Sequence, residues 1–169
     1  MKEIRWHARA GQGAKTASQL FATALLREGK SVQAFPEYGP ERRGAPLRAY
    51  TRLDDRPIRR HDAVEEPDVV VVLEPSLLGE VDVTEGLAPD GLVLLNAAEA
   101  PEGLPGRVLC VPSSRGPKFT NLVMVGALAA ALGEPSVEAV GDAAVEALGR
   151  KVDPEALRGA VEEGYACLS

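Results

Sequence analysis

Residue types that often carry chemistry are scarce in this sequence of 169 residues. Its two cysteines, Cys110 and Cys167, are too few for a disulfide framework, which favours a reduced cytosolic setting. The sequence has no C-x-x-C pair, so we expect this chain alone to hold neither an iron–sulfur cluster nor zinc. Its two histidines, His7 and His61, lack metal-ligand spacing, and we predict structural or surface roles for both. The pattern also lacks a Ser-His-Asp or Cys-His arrangement for nucleophilic catalysis.

Long hydrophobic runs are also missing. The first nine residues contain no apolar signal core, and the longest apolar run, Leu122–Leu132, is too short to cross a bilayer. Aromatic residues make up only 4% of the chain, so the core must be built from Val, Leu and Ala. We therefore expect one cytoplasmic domain over residues 1–169, without a membrane partner.

The charge is distributed unevenly. The net charge is −6, but residues 1–60 carry a net +7 and residues 61–169 a net −13. Arginines crowd into residues 42–60, which favours a phosphate-bearing ligand or an acidic partner surface. An acidic chain without a recognised nucleic-acid motif argues against DNA or RNA as the partner.

The segment Ile4–Thr16 predicts a strand, a glycine turn and the start of a helix that runs to about Glu28. Apolar residues alternate with Arg5 and His7, as in a strand with one buried face. Gly11 and Gly13 allow a tight turn, and a helix N-terminus after it can bind an anion. The dinucleotide fingerprint fails at Thr16, where its third glycine should stand, and the P-loop spacing fails as well. Phosphate binding and a purely structural turn both remain open.

Further strands are predicted at Ser31–Phe35, Val69–Leu73, Leu92–Leu95 and Arg107–Val111. Leu47–Leu53 and Pro57–Arg59 are predicted to form a β-hairpin across Asp54 and Asp55. Three helices follow: one capped by Thr120 or Asn121 and ending at Gly133, then Pro135–Leu148 and Pro154–Ala166. The fold class is α/β: three layers, a largely parallel sheet with a β-hairpin insertion, and C-terminal helices.

The span Phe35–Pro46, F-P-E-Y-G-P-E-R-R-G-A-P, contains three prolines and two glycines, which predicts a stiff loop. It leaves the carboxyl end of the second strand, at the same sheet edge as the glycine turn, where α/β proteins bind ligands. A phosphate or interface site is therefore predicted at this edge. Its candidate residues are Gly11, Gln12, Gly13, Lys15, Thr16, Arg42 and Arg43.

Four sequence blocks resemble one known family. I-R-W-H-A-R-A-G-Q-G-A-K-T-A, F-P-E-Y-G-P-E-R-R-G-A-P, E-P-D-V-V-V-V-L-E-P-S-L-L and T-N-L-V-M-V-G-A resemble the gamma subunit of 2-oxoacid (pyruvate):ferredoxin oxidoreductases. The blocks cover most of residues 3–133, and the C-terminal helices are less diagnostic. The family commonly has glycine where Ala8 and Ala10 stand, so any ligand contact through those two positions is in question.

The resemblance implies a complex that converts a 2-oxoacid and coenzyme A to acyl-CoA, carbon dioxide and reduced ferredoxin. It places thiamine diphosphate and iron–sulfur clusters in partner alpha, beta and delta subunits, with ferredoxin as electron acceptor. It gives this chain no catalytic residue, so we expect the isolated chain to be inactive, with an assembly role. Coenzyme A docking at the interface and a homodimer through this chain are further expectations.

Two other functions stay open at this point. The first is a stand-alone NAD(P)- or nucleotide-binding protein, because Glu37 follows the second strand, where a ribose-binding acid would lie. The missing third glycine and the missing catalytic group argue against it. The second is a scaffold whose carboxyl edge binds nothing.

Overall fold

The computed structural model describes residues 1–37 and 42–169, which form a six-stranded sheet and four α-helices. The strands are β1 (Lys2–Arg9), β2 (Ser31–Pro36), β3 (Pro46–Asp54), β4 (Val69–Val72), β5 (Leu92–Leu95) and β6 (Arg107–Cys110). The helices are α1 (Ala14–Arg27), α2 (Thr120–Leu132), α3 (Val137–Leu148) and α4 (Pro154–Ala166), and a 3-10 helix spans Pro75–Gly79.

The strand order is β2-β3-β1-β4-β5-β6. Strand β3 runs antiparallel to both of its neighbours, and the other paired strands run parallel. The predicted α/β fold, with a mostly parallel sheet and C-terminal helices, is confirmed.

Local chemistry explains where several helices begin and end. Gly29, at φ +86°, lies two residues after the last residue of α1, and its N–H donates to the Leu26 carbonyl, as is typical of a glycine that closes a helix. Ser136 and Asp153 cap α3 and α4 by accepting backbone N–H bonds. These boundaries depend on neighbouring residues alone, which is why the sequence predicts them well.

The two faces of the sheet are covered differently. The α-helices pack on one face, where Trp6, Phe21 and Leu122 belong to the main apolar core. A smaller apolar cluster that includes Val70 and Leu77 lies on the other face. The 3-10 helix and irregular segments cover that second face, so the third layer of the fold is thin.

The predicted hairpin between Leu47–Leu53 and Pro57–Arg59 is wrong. Strand β3 instead pairs with β2 on one side and β1 on the other, and Pro57–Arg59 is not a strand. Both edges of β3 are therefore already hydrogen-bonded, and no edge remains for a further strand. Asp54 accepts the Arg56 N–H and turns the chain away from the sheet.

The alternation in β1 predicts one buried face, but both faces of the strand are buried in the structure. The side chains of Arg5 and His7 are 2% and 1% exposed, because the segment around Val83 covers them. Arg5 donates to His7 Nε2 at 3.0 Å and to the carbonyl oxygens of Val83 and Glu85. His7 is therefore a structural residue, as its lack of metal-ligand spacing predicted.

Neutral His7 makes the folded state sensitive to acid. Burial, together with the nearby positive charges of Arg5 and Arg48, lowers the pKa of His7 to about 3, while Asp82 opposes this shift. Below the ordinary pKa of about 6.5 the unfolded chain takes up a proton that the folded chain refuses, so stability falls as pH falls toward 3. We expect this group alone to cost up to about 1.4 kcal/mol per pH unit.

Urea unfolding at pH values from 7.5 to 4.5 measures this slope. Replacing His7 with Gln should flatten the pH dependence, whereas replacing the exposed His61 with Gln should leave it unchanged. Equal slopes for the wild type and His7→Gln would contradict the assignment.

Helix α2 begins without the predicted cap. Phe119 occupies the N-cap position, and neither Thr120 nor Asn121 caps the helix through its side chain. Thr120 instead donates to the Gly116 carbonyl at 3.4 Å, and Asn121 turns toward the glycine turn before α1.

Helices α2 and α4 lie unusually close together. A Cβ atom at Gly126 would lie 2.0 Å from the Val161 carbonyl oxygen, and one at Gly164 would lie 1.8 Å from the Val123 carbonyl oxygen. The small residues in α2 therefore serve close helix packing within the chain.

Candidate functional site

The glycine turn lies at the carboxyl end of β1, where the sheet changes its winding direction. The β1–α1–β2 connection runs to one side of β1, and the parallel strand β4 lies on the other side. Ligands of open α/β sheets bind at this kind of crevice. Gly11 (φ +93°) and Gly13 (φ +81°) both adopt left-handed backbone angles, which other residues rarely adopt.

Helix α1 starts directly from this turn without a cap. Gly13 occupies the N-cap position, no side chain accepts a hydrogen bond there, and the first turn contains no acidic residue. The N–H groups of Ala14, Lys15 and Thr16 precede the first N–H that bonds within the helix, that of Ala17. Together with the exposed Lys15 side chain, this end of the helix favours an anion.

Gln12 braces the turn and is held by the protein itself. Its Oε1 accepts the Arg9 N–H at 2.6 Å, and its Nε2 donates to Glu74 at 2.8 Å. Glu74 also accepts the Ser76 N–H and so caps the 3-10 helix. Burial alone would raise the pKa of Glu74, but hydrogen bonds from Gln12 and Ser76 outweigh it and hold that pKa below its usual value.

Arg9 joins three segments around the turn. It donates to the Gly44 carbonyl at 3.1 Å and to Ser76 Oγ at 2.8 Å, and it forms an ion pair with Glu80. Sequence reasoning missed Arg9, Glu74 and Glu80 as part of this edge. The available signal was position, since Arg9 ends β1 and Glu74 lies two residues beyond β4.

The second half of the loop Phe35–Pro46 contacts the glycine turn. The Ala10 N–H donates to the Ala45 carbonyl at 2.9 Å. Arg42 and Arg43, a few residues before Ala45 in the sequence, are exposed to solvent. Residues 38–41 of this loop lie outside the described residues. The structure therefore brings the Arg42–Pro46 half of the loop to the predicted edge.

Much of the basic segment is used inside the protein. Four arginines of residues 42–60 form ion pairs with acidic residues, which accounts for part of the charge that the sequence assigned to a partner. The pairs are Arg48–Glu85, Arg52–Glu3, Arg56–Asp54 and Arg60–Asp62. Lys15, Arg42 and Arg43 are exposed, and within residues 1–37 and 42–169 they form no ion pair.

Thr16 and Glu37 have different surroundings from those predicted. Thr16 lines an open, largely apolar groove of about 540 Å³ between α1, β2 and α3. The Glu37 carboxylate accepts a hydrogen bond from the Tyr50 hydroxyl, and burial together with this bond raises the pKa of Tyr50 to about 12. Because Tyr50 holds Glu37, the dinucleotide alternative loses support.

Asn121 is the residue of this edge that sequence reasoning assigned incorrectly. It lies against Gly13 and is 8% exposed, so the starts of α1 and α2 meet at the glycine turn. Its partner is more than a hundred residues away in the sequence, which no local pattern reveals.

In the part of the chain that the structure describes, no group of three or more His, Cys, Asp or Glu side chains is arranged to hold a metal ion. No helix there has the length and apolar character needed to cross a membrane.

Comparison with known proteins identifies the family. The family model described as pyruvate ferredoxin/flavodoxin oxidoreductase matches residues 3–167. The pyruvate/ketoisovalerate oxidoreductases common subunit gamma of Thermococcus kodakarensis is 46% identical over 168 residues, covering 89% of this chain and 91% of its own length. The pyruvate synthase subunit PorC of Thermotoga maritima is 43% identical, covering 96% and 92%.

Solved structures agree on the fold. The crystal structure of the pyruvate oxidoreductase subunit PORC from Thermotoga maritima superposes with a TM-score of 0.79 at 37% identity, covering 98% of this chain and 95% of that one. A 2-oxoglutarate:ferredoxin oxidoreductase from Magnetococcus marinus gives a TM-score of 0.81 at 19% identity, with 99% of this chain matching 31% of that chain. This protein thus belongs to the pyruvate ferredoxin/flavodoxin oxidoreductase family.

Proposed function

We propose that this chain is the gamma subunit of a multi-subunit 2-oxoacid:ferredoxin oxidoreductase in the cytoplasm. The complex would convert a 2-oxoacid and coenzyme A to acyl-CoA, carbon dioxide and reduced ferredoxin. The observation that carries this proposal is the family match over residues 3–167, together with relatives that are named as gamma or PorC subunits over nearly their whole length.

The proposal assigns the chemistry to partner subunits. Thiamine diphosphate and the iron–sulfur clusters belong to the alpha, beta and delta subunits, and ferredoxin accepts the electrons. The chain's own cysteines support this division, because Cys110 and Cys167 are its only two, and an iron–sulfur cluster is usually held by four. That the isolated chain has no activity stays a prediction.

We further propose that the start of α1 receives a phosphate group of coenzyme A in the assembled complex. The uncapped N–H groups of the first turn and the positive end of the helix dipole favour a dianion. Lys15, Arg42 and Arg43 are exposed cations that can add charge-assisted hydrogen bonds. The competing function for the same groups is binding an acidic patch of a partner subunit.

Replacing Lys15 with Ala in the reconstituted complex distinguishes these two functions. A charge-assisted hydrogen bond contributes on the order of 1.5–3 kcal/mol when desolvated, so the KM for coenzyme A should rise roughly tenfold or more. The KM for the 2-oxoacid and the assembly of the complex should not change. Steady-state titration with coenzyme A and gel filtration measure these quantities.

The control is Lys151→Ala, because Lys151 is an exposed lysine in the distant turn between α3 and α4. A Lys15→Ala complex that falls apart, most readily at high salt, would support the interface instead. An intact complex with an unaltered coenzyme A titration would exclude docking through Lys15.

A further inference from the structure

We propose that Asn121 is a binding residue of the same site and donates its side-chain amide to an oxygen of the bound phosphate. This inference rests on the proposed docking function and adds a residue to it. It identifies the ligand group as one that presents acceptor oxygens between the first turns of α1 and α2.

A backbone hydrogen bond fixes the orientation of the Asn121 amide. The side-chain Oδ1 accepts the Leu122 N–H at 3.0 Å, and only the oxygen of the amide can accept such a bond. The nitrogen, Nδ2, is therefore turned toward the glycine turn, where a Cβ atom at Gly13 would lie 2.6 Å from it. Gly13 thus leaves room for a donor that any larger residue would displace.

The Nδ2 donor has no acceptor among residues 1–37 and 42–169, although the side chain is only 8% exposed. Two other amides at this sheet edge are satisfied at both atoms. Gln12 bonds Arg9 and Glu74, and Asn96 bonds the Leu73 carbonyl and the Ser113 N–H. The Asn121 Nδ2 is not fully enclosed by protein, so this amide, left open at the glycine turn, can donate to a ligand oxygen that displaces solvent.

The surroundings of this donor favour an anion. Helix α1 and helix α2 both begin without a side-chain cap, and neither has an acidic residue in its first turn. Because Asn121 is in the first turn of α2 and lies against Gly13, the positive ends of the two helix dipoles meet here. A tetrahedral phosphate can accept from the N–H groups of α1 and from Nδ2 with different oxygens.

The test uses the reconstituted complex and coenzyme A, with pyruvate as the 2-oxoacid. Asn121→Leu removes the donor while keeping the number and branching of the side-chain heavy atoms, and Asn121→Asp keeps the acceptor for the Leu122 N–H while placing a negative charge at the site. We expect Asn121→Leu to raise the KM for coenzyme A roughly tenfold and Asn121→Asp to raise it further. The kcat and the KM for pyruvate should stay within about twofold of the wild type.

Asn96→Asp is the matched control, because both amide atoms of Asn96 are bonded to the protein, so its KM for coenzyme A should be unchanged. If Lys15→Ala raises this KM but both Asn121 variants do not, the Asn121 inference is overturned and docking stands. If none of the three variants changes it, docking itself fails. If both Asn121 variants prevent assembly, Asn121 is structural and the inference is overturned.

Discussion

Replacing Gly164 with Ala should lower the free energy of unfolding by roughly 3 kcal/mol or more, the upper end of the range for overpacked sites. A Cβ atom there would lie 1.8 Å from the Val123 carbonyl oxygen and 2.6 Å from its carbon, so backbone atoms of α2 must move. Since α2 and α4 are packed through backbone rather than through flexible side chains, no rotamer change can relieve this contact. Urea unfolding followed by circular dichroism measures the loss.

Gly159→Ala in the same helix is the matched control. A Cβ atom at Gly159 would meet only the far end of the Arg115 side chain, at 3.0 Å, and this side chain can move. Alanine is also the better helix former by about 1 kcal/mol, so the control should be neutral or slightly stabilising. If both variants lost the same unfolding free energy, the contact between α2 and α4 at Gly164 would have room for a Cβ atom.

Replacing Arg52 with Ala should cost about 3–5 kcal/mol, the range for breaking a buried ion pair by removing one partner. The Arg52 side chain is fully buried, and it donates to Glu3 at 2.7 Å and to the Ala63 carbonyl at 3.3 Å. Its removal leaves the largely buried Glu3 carboxylate without its closest cation and frees the segment around Ala63. Thermal and urea unfolding should both show the loss.

Arg56→Ala provides the comparison, because Arg56 is 88% exposed and lies 3.9 Å from its acidic partner, Asp54. Exposed ion pairs contribute little, so this variant should unfold within about 0.5 kcal/mol of the wild type. A small effect at both positions would mean that water screens Arg52 despite its burial.

The sequence predicts the features that depend on near neighbours. Val69–Val72 is a strand because four β-branched residues in a row suit a position buried on both faces. Gly29 ends α1 because its left-handed backbone closes the last turn. The glycine turn and the start of α1 follow from the same local chemistry, so the place of the candidate site is also predictable.

Features that depend on distant partners could not be predicted. Arg5 and His7 look like solvent-facing residues until the segment around Val83 covers them. Tertiary pairing of β3 with β1 and β2 overrides the local hairpin pattern after Asp54. Asparagine is a residue type that often caps helices, and only the packing of α2 beside Gly13 shows that Asn121 has another role.

The position of β3 also bears on the order in which the chain can fold during synthesis. Strands β1 and β2 do not touch each other, because β3 lies between them, and neighbouring strands are about 4.8 Å apart. A nascent chain that ends after β2 therefore has a strand, a helix and a strand but no hydrogen-bonded sheet. The first ladder can close only when residues 46–54 have left the ribosome. The glycine turn, although it precedes β3 in the sequence, must therefore wait for β3 before the sheet edge around it exists.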